Sequence, residues 1–209
     1  MRISHKHKFV FIATPKTGST TIRNCLDEYS DIKSVGDNTS PYYWHTTAFD
    51  LKKHFNEKNW NWNEYFSFAF VRNPWAKLVS NFFYKLNVTK KWKDEKPEKY
   101  VKWKKSTFED YILGKNEVGI HKTMSTNLQL SYLTDANGKQ IVDFIGRCEN
   151  LQQDFNTICD KIGIPRQQLP HKNKSKHKHY TEYYDDETKQ IVAEKYAKDI
   201  EYFNYEFGE

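Results

Sequence analysis

Three observations predict an α/β fold with a parallel sheet. Two short apolar runs, residues 9–13 (FVFIA) and 65–71 (YFSFAFV), have the length and the β-branched and aromatic content of buried strands. Each passes at once into a turn and then a helical pattern. Strand candidates and amphipathic helices then alternate to the end of the chain.

The elements follow in order. The N-terminal segment MRISHKHK runs straight into the first strand, 9–13, and no room for a signal sequence is expected. A turn at Pro15, Lys16, Thr17 and Gly18 precedes a helix opening on Ser19, Thr20 and Thr21, with Ile22, Cys25, Leu26 and Tyr29 at helical spacing. Residues 31–43 are polar and rich in turn formers. Residues 45–55 (HTTAFDLKKHF) read as a short amphipathic helix, and 59–64 as a connection holding Trp60 and Trp62. The strand 65–71 ends at Arg72. Asn73 is suited to cap a helix and Pro74 to begin one, with Trp75, Leu78, Val79, Phe82, Phe83 and Leu86 on its apolar side. Residues 107–113 and 127–133 look helical, 135–138 (DANG) form a turn, and 140–145 are a third strand candidate. A helix over 151–162 is closed by Gly163 and Pro165. The last helix spans 185–200, with acids at its start, and Phe203, Tyr205 and Phe207 anchor the tail.

The 209 residues suit one domain, 1–209, and carry a net charge of +6, which favours anionic ligands without choosing among them. Aromatic residues make up 16% of the chain, too many for a disordered one. Cys25, Cys148 and Cys159 are widely spaced and odd in number, so buried free thiols and a reducing compartment are expected. No apolar run approaches the 18 residues that suggest a membrane span. Residues 85–105 hold nine lysines against three acids, interleaved with Trp92, Tyr100 and Trp103. This basic helical excursion reads as a solvated face or as a surface for an acidic or sugar polymer. A second basic segment, 167–180, forms a loop.

Strand, glycine-containing turn and helix together are the recipe for an anion site, the alternative being an ordinary strand–helix connection capped by a serine or threonine. Free N–H groups and the helix dipole favour negative charge there, Gly18 permits close approach, and Lys16 adds a formal charge. The loop is not the nucleotide-triphosphate pattern GxxxxGK[ST]. Lysine stands two residues before the glycine, and Ala13 occupies the place of the first glycine. Arg72 stands at the carboxyl end of the second strand, where ligands gather in open α/β sheets, and Ser80 lies about two turns into the next helix. Two anion motifs suggest a ligand with two separated phosphate groups.

PKTGSTT followed by RNPWxxxxS resembles the sulfotransferases that use 3′-phosphoadenosine-5′-phosphosulfate. The later pattern of His171, Asn173, Ser175, Tyr180, Tyr183 and Tyr184 is similar to the carbohydrate branch of that family. The resemblance covers essentially the whole chain. It implies a three-layer P-loop-like fold, with a central parallel sheet flanked by helices. It implies that Lys16, Thr17, Gly18, Ser19, Thr20 and Thr21 grip the 5′ phosphosulfate, and that Arg72 and Ser80 bind the 3′ phosphate. The Asn173–Ser175 loop would close over the nucleotide. His45 would be the catalytic base and Lys16 the group that stabilises the leaving nucleotide. The implied reaction is in-line sulfuryl transfer to a hydroxyl, releasing 3′,5′-adenosine bisphosphate, with no metal required. The acceptor would be a carbohydrate or another alcohol, anionic acceptors included, and no nucleic acid is expected.

Two other readings stay open: a P-loop small-molecule kinase, and a non-catalytic module binding anionic polymers through residues 85–105. A metal-binding role for His171, His177 and His179 lacks accompanying cysteines or paired carboxylates. The expected location is cytoplasmic, the alternative being a trimmed Golgi-lumenal domain.

Overall fold

The predicted strand at 9–13 forms as β2 (Phe9–Ile12), but it is the second strand. Arg2–Ser4, given no element by the sequence reading, is β1 and pairs antiparallel with β2, with Arg2 opposite Phe11 and Ser4 opposite Phe9. A computed structural model describes residues 1–115, 118–120, 126–170 and 177–209, apart from the side chain of Trp92. In chain order the remaining elements are α1 (Ser19–Leu26), β3 (Ile32–Lys33), α2 (Ala48–Glu57), β4 (Phe66–Val71), α3 (Pro74–Thr89), α4 (Pro97–Lys105), α5 (Phe108–Leu113), β5 (Phe144–Arg147), α6 (Leu151–Ile162), α7 (Asp186–Lys195) and α8 (Ala197–Phe203). The sheet order is β3-β1-β2-β4-β5. β2, β4 and β5 are parallel, Phe9 facing Phe66 and Phe68 facing Phe144, while β1 runs antiparallel to both its neighbours. The architecture is the expected α/β fold, a largely parallel sheet flanked by helices.

The described residues fall into two compact units. The first holds 1–72 and 129–170; the second holds 73–128 and 177–209. In the first, alternate residues Phe9 and Phe11 of β2 and Phe68 and Phe70 of β4 point to one face. They are fully buried against Ile22, Cys25 and Leu26 of α1 and Phe155, Ile158, Cys159 and Ile162 of α6. Gly146 of β5 leaves room for Phe70: a Cβ there would lie 2.6 Å from the ring. α6 ends as expected on Gly163, in the left-handed conformation.

In the second unit, Asn73 caps α3 by accepting from the Trp75 and Ala76 N–H groups, and Pro74 takes the first helical position. Trp75, Leu78, Val79 and Phe82 of α3 pack with Phe108, Tyr111 and Ile112 of α5 and with Val192 and Tyr196. The tail is anchored as expected: Phe207 meets Trp75, Tyr180 and Tyr184 edge-on. Lys77 is fully buried and donates to the Asn127 carbonyl at 2.7 Å. Burial pushes its ammonium down to about 8, against the opposing field of Asp199.

Several elements depart from expectation. Helix α2 starts at Ala48, because Thr47 accepts from the Asp50 N–H at 3.1 Å and caps it; His45 therefore precedes the helix. Residues 127–133 form only a single 3₁₀ turn, Leu130–Tyr132. The third predicted strand is displaced to Phe144–Arg147, in register with β4. The last helix breaks at Tyr196, whose hydroxyl donates to the Thr126 carbonyl at 2.6 Å. All three cysteines are free thiols; Cys25 and Cys159 are buried, whereas Cys148 is partly exposed. The basic stretch yields α4, which buries no residue.

Candidate active site

The loop between β2 and α1 is held by two buried threonines. Thr14 Oγ1 donates to the Phe70 carbonyl of β4, and Thr17 Oγ1 donates to the Thr14 carbonyl at 3.1 Å. The loop is thus tied to itself and to the next strand. Lys16 and Gly18 both lie in the left-handed region, with φ of 68° and 77°. For lysine that conformation costs about 1–2 kcal/mol, and strain of this kind gathers at ligand sites. At position 18 a Cβ would stand 2.9 Å from Leu151 Cδ2, a side-chain end that would have to shift, and the positive φ is what requires glycine. Gly18 offers no side-chain cap, and its carbonyl accepts from the Thr21 and Ile22 N–H groups. The N–H groups of Ser19 and Thr20 therefore open the helix without intrahelical acceptors. Together with the helix dipole they favour negative charge at this end of the helix.

Arg72 directly follows β4 and comes to the same loop. Its Nη1 donates to the Lys16 carbonyl at 3.4 Å. Its own main chain is gripped by a buried side chain that the sequence did not suggest. The Arg72 N–H donates to Gln129 Oε1, and the Arg72 carbonyl accepts from Gln129 Nε2, each at 2.8 Å. The amide of Gln129 thus supplies both halves of a strand pairing, one residue beyond the end of β4. Its partner lies 57 residues away, so periodicity carries no trace of it.

His45 hangs from the same strand end. Its Nδ1 donates to the Ala13 carbonyl at 2.6 Å, the residue after β2. A carbonyl can only accept, so this bond fixes the proton on Nδ1 and leaves the Nε2 lone pair available. Burial pushes the imidazole down to about 4; the Ala13 bond opposes it, and the Met1 amino group, Arg23 and Lys16, in that order, push the same way as burial. At neutral pH the ring is an uncharged acceptor set in the field of Lys16.

The structure therefore brings together Lys16, Thr17, Gly18, Ser19, Thr20, Arg72 and His45 within the first unit. Thr21 is buried in the first turn of α1. Ser80 is buried on α3, in the second unit. Asn173, Ser175 and His171 lie outside the described residues. His177 Nδ1 bonds the Lys178 carbonyl and His179 Nδ1 bonds Thr181 Oγ1, both at 2.7 Å.

The model of the sulfotransferase family matches residues 1–206. An uncharacterized protein of Archaeoglobus fulgidus is 33% identical over 105 residues, 49% of this chain and 72% of its own length. Human carbohydrate sulfotransferase 9 is 26% identical over 225 residues, covering 95% of this chain, which spans about half (47%) of the human protein. The family model's match over residues 1–206, on an α/β fold whose strands β2, β4 and β5 run parallel, places this chain in the sulfotransferase family.

Proposed function

We propose that this chain moves a sulfuryl group from 3′-phosphoadenosine-5′-phosphosulfate to a hydroxyl of a carbohydrate, and that residues 1–209 act as one functional domain. One observation carries the reading most directly. A pre-formed loop with two open N–H groups, an arginine at its carbonyl and a neutral histidine beside it suit an anionic donor and an alcohol acceptor. The donor supplies a sulfuryl group already activated by its bond to the 5′ phosphate.

The chain's own groups then divide the work. The N–H groups and hydroxyls of Ser19 and Thr20, with Thr17, Gly18 and Thr21, hold the oxyanions at the helix start. Lys16 neutralises the phosphate oxygen that leaves when its bond to sulfur breaks; losing such a group costs on the order of 10²–10³-fold in rate. His45 Nε2 takes the acceptor's hydroxyl proton as its oxygen bonds to sulfur, help typically worth about 10²–10⁴-fold. Arg72 and Ser80 take the 3′ phosphate, and Asn173 and Ser175 close over the nucleotide. No step in this scheme calls for a metal. The three free thiols support a reducing, cytoplasmic setting.

Calorimetric titration with 3′,5′-adenosine bisphosphate, 5′-AMP and ATP tests the reading. Tight bisphosphate binding without metal, much weaker 5′-AMP binding, and loss of that difference in Arg72→Ala are expected. A preference for ATP with magnesium would overturn it in favour of a kinase.

A further inference from the structure

Beside His45 the first unit carries a cation that the donor reading leaves without a task. Arg23, half-buried on α1, donates from Nη2 to Thr20 Oγ1 at 3.2 Å and from Nη1 to Ser34 Oγ at 3.4 Å. Both partners are neutral hydroxyls. The nearby carboxylate, Asp27, is already held by Arg2 Nε at 2.6 Å, with Lys33 at 3.9 Å. Arg2 also donates to Ser34 Oγ, at 2.9 Å, so two guanidinium groups converge on one hydroxyl oxygen. Among the described residues no carboxylate pairs with Arg23. Burial and the neighbouring Arg2 work against its charge, Asp27 supports it only from beyond ion-pair distance, and its fork geometry matches a carboxylate or a sulfate.

The segment that meets Arg23 also supports an aromatic surface. Val35 follows Ser34 and pairs with Tyr43, its N–H donating to the Tyr42 carbonyl at 2.9 Å. This closure folds the intervening loop back on itself. At Gly36 an added Cβ would come within 3.3 Å of the Trp44 ring, so the ring lies against bare backbone. Trp44 is 45% exposed, flanked by the near-parallel ring of Tyr43, and is the residue immediately before His45. A cation held by neutral hydroxyls, an exposed indole and a neutral imidazole therefore share one neighbourhood. The charge of Arg23 is felt at the His45 ring.

We propose that Arg23 and Trp44 form an acceptor subsite for an acidic sugar. Arg23 pairs with the sugar's oxyanion, a uronate carboxylate or an ester sulfate, and Trp44 packs on the sugar ring beside the hydroxyl that His45 deprotonates. The inference rests on the sulfotransferase reading and adds the acceptor's charge to it.

Three oligosaccharides of equal length, one neutral, one containing a uronate and one bearing an ester sulfate, are titrated into the full chain saturated with 3′,5′-adenosine bisphosphate. The same three are then assayed as acceptors with labelled donor. The wild type is expected to favour an acidic acceptor at least tenfold, and the uronate and sulfate arms show which oxyanion fits. Arg23→Ala should remove about 10- to 100-fold of affinity for the acidic saccharide, as KM rather than kcat, while bisphosphate affinity stays within about threefold. Arg23→Lys should restore part of the loss, and Trp44→Ala should raise KM for every saccharide. Equal binding of neutral and acidic saccharides by the wild type would overturn the proposal. So would an Arg23→Ala variant that loses bisphosphate affinity instead, because Arg23 would then serve the donor. Failure of the wild type to bind the bisphosphate at all would bring down the sulfotransferase reading itself, a separate and recognisable result.

Discussion

Replacing Gln129 isolates how much the end of β4 depends on one side chain. Gln129→Leu keeps the shape roughly constant and removes both 2.8 Å bonds to the Arg72 main chain. It strands one N–H and one carbonyl in a buried setting, at about 1–3 kcal/mol each. Extra apolar burial by leucine returns about 1–2 kcal/mol. A net loss of about 3 kcal/mol remains, equivalent to a fall in Tm of roughly 6–12 °C for a chain of this size. Urea unfolding and calorimetry measure it directly. Gln129→Glu provides the sharper comparison. At pH 8 its carboxylate still accepts from the Arg72 N–H but faces the Arg72 carbonyl with a lone pair. At pH 5 a protonated acid regains the second bond, so this variant should recover stability relative to wild type as the pH falls. Both variants should weaken 3′,5′-adenosine bisphosphate more than 5′-AMP, because the guanidinium is carried by the segment that Gln129 holds. A leucine variant within about 0.5 kcal/mol of wild type, or a glutamate variant with no acid recovery, would refute the reasoning.

Three further outcomes are expected. Gly18→Ala imposes left-handed strain of about 1–2 kcal/mol and a contact with Leu151, so bisphosphate affinity should drop at least tenfold; unchanged affinity would remove the loop from the binding site. His45 is neutral above about pH 4 in the free protein, so its NMR titration should fall there. An anionic ligand beside Lys16 offsets the positive field and should move that midpoint upward, while His45→Ala should lose most turnover yet keep nucleotide affinity. Lys77 releases its proton near pH 8 when folded and near 10.5 when unfolded. Between those values the unfolded chain binds more protons, so stability should rise with pH across this window, and Lys77→Met should abolish the rise.

Much of the site was legible because its signals are local. An apolar run, a glycine requiring positive φ and a helix start are contiguous in sequence, and so are Asn73 and the proline it precedes. What escaped depends on partners far along the chain. Arg2–Ser4 carries no strand signal because three residues show no period, and only pairing with β2 makes it a strand. The break at Tyr196 follows from a hydroxyl reaching Thr126, 70 residues away, in a sequence with no helix breaker. Gln129 sat in a stretch whose composition suited a helix, and its amide partner could not be inferred. The start of α2 was within reach: Thr47 and Asp50 have the spacing of a cap, and that spacing excludes His45 from the helix.

The order of strands also bears on how the chain reaches this state. The β1–β2 hairpin closes through a short turn and needs no distant segment. The lock of Thr14 on Phe70 joins residues 56 apart, and Asp143 meets Ser67 across 76. Closing such loops costs entropy before any contact repays it, and non-local pairing slows folding. The hairpin is therefore expected to form before the parallel strands dock, leaving the loop after β2 unsupported until then. Capture of the proposed nucleotide during refolding should then lag behind hairpin formation and report the docking of β4 against β2.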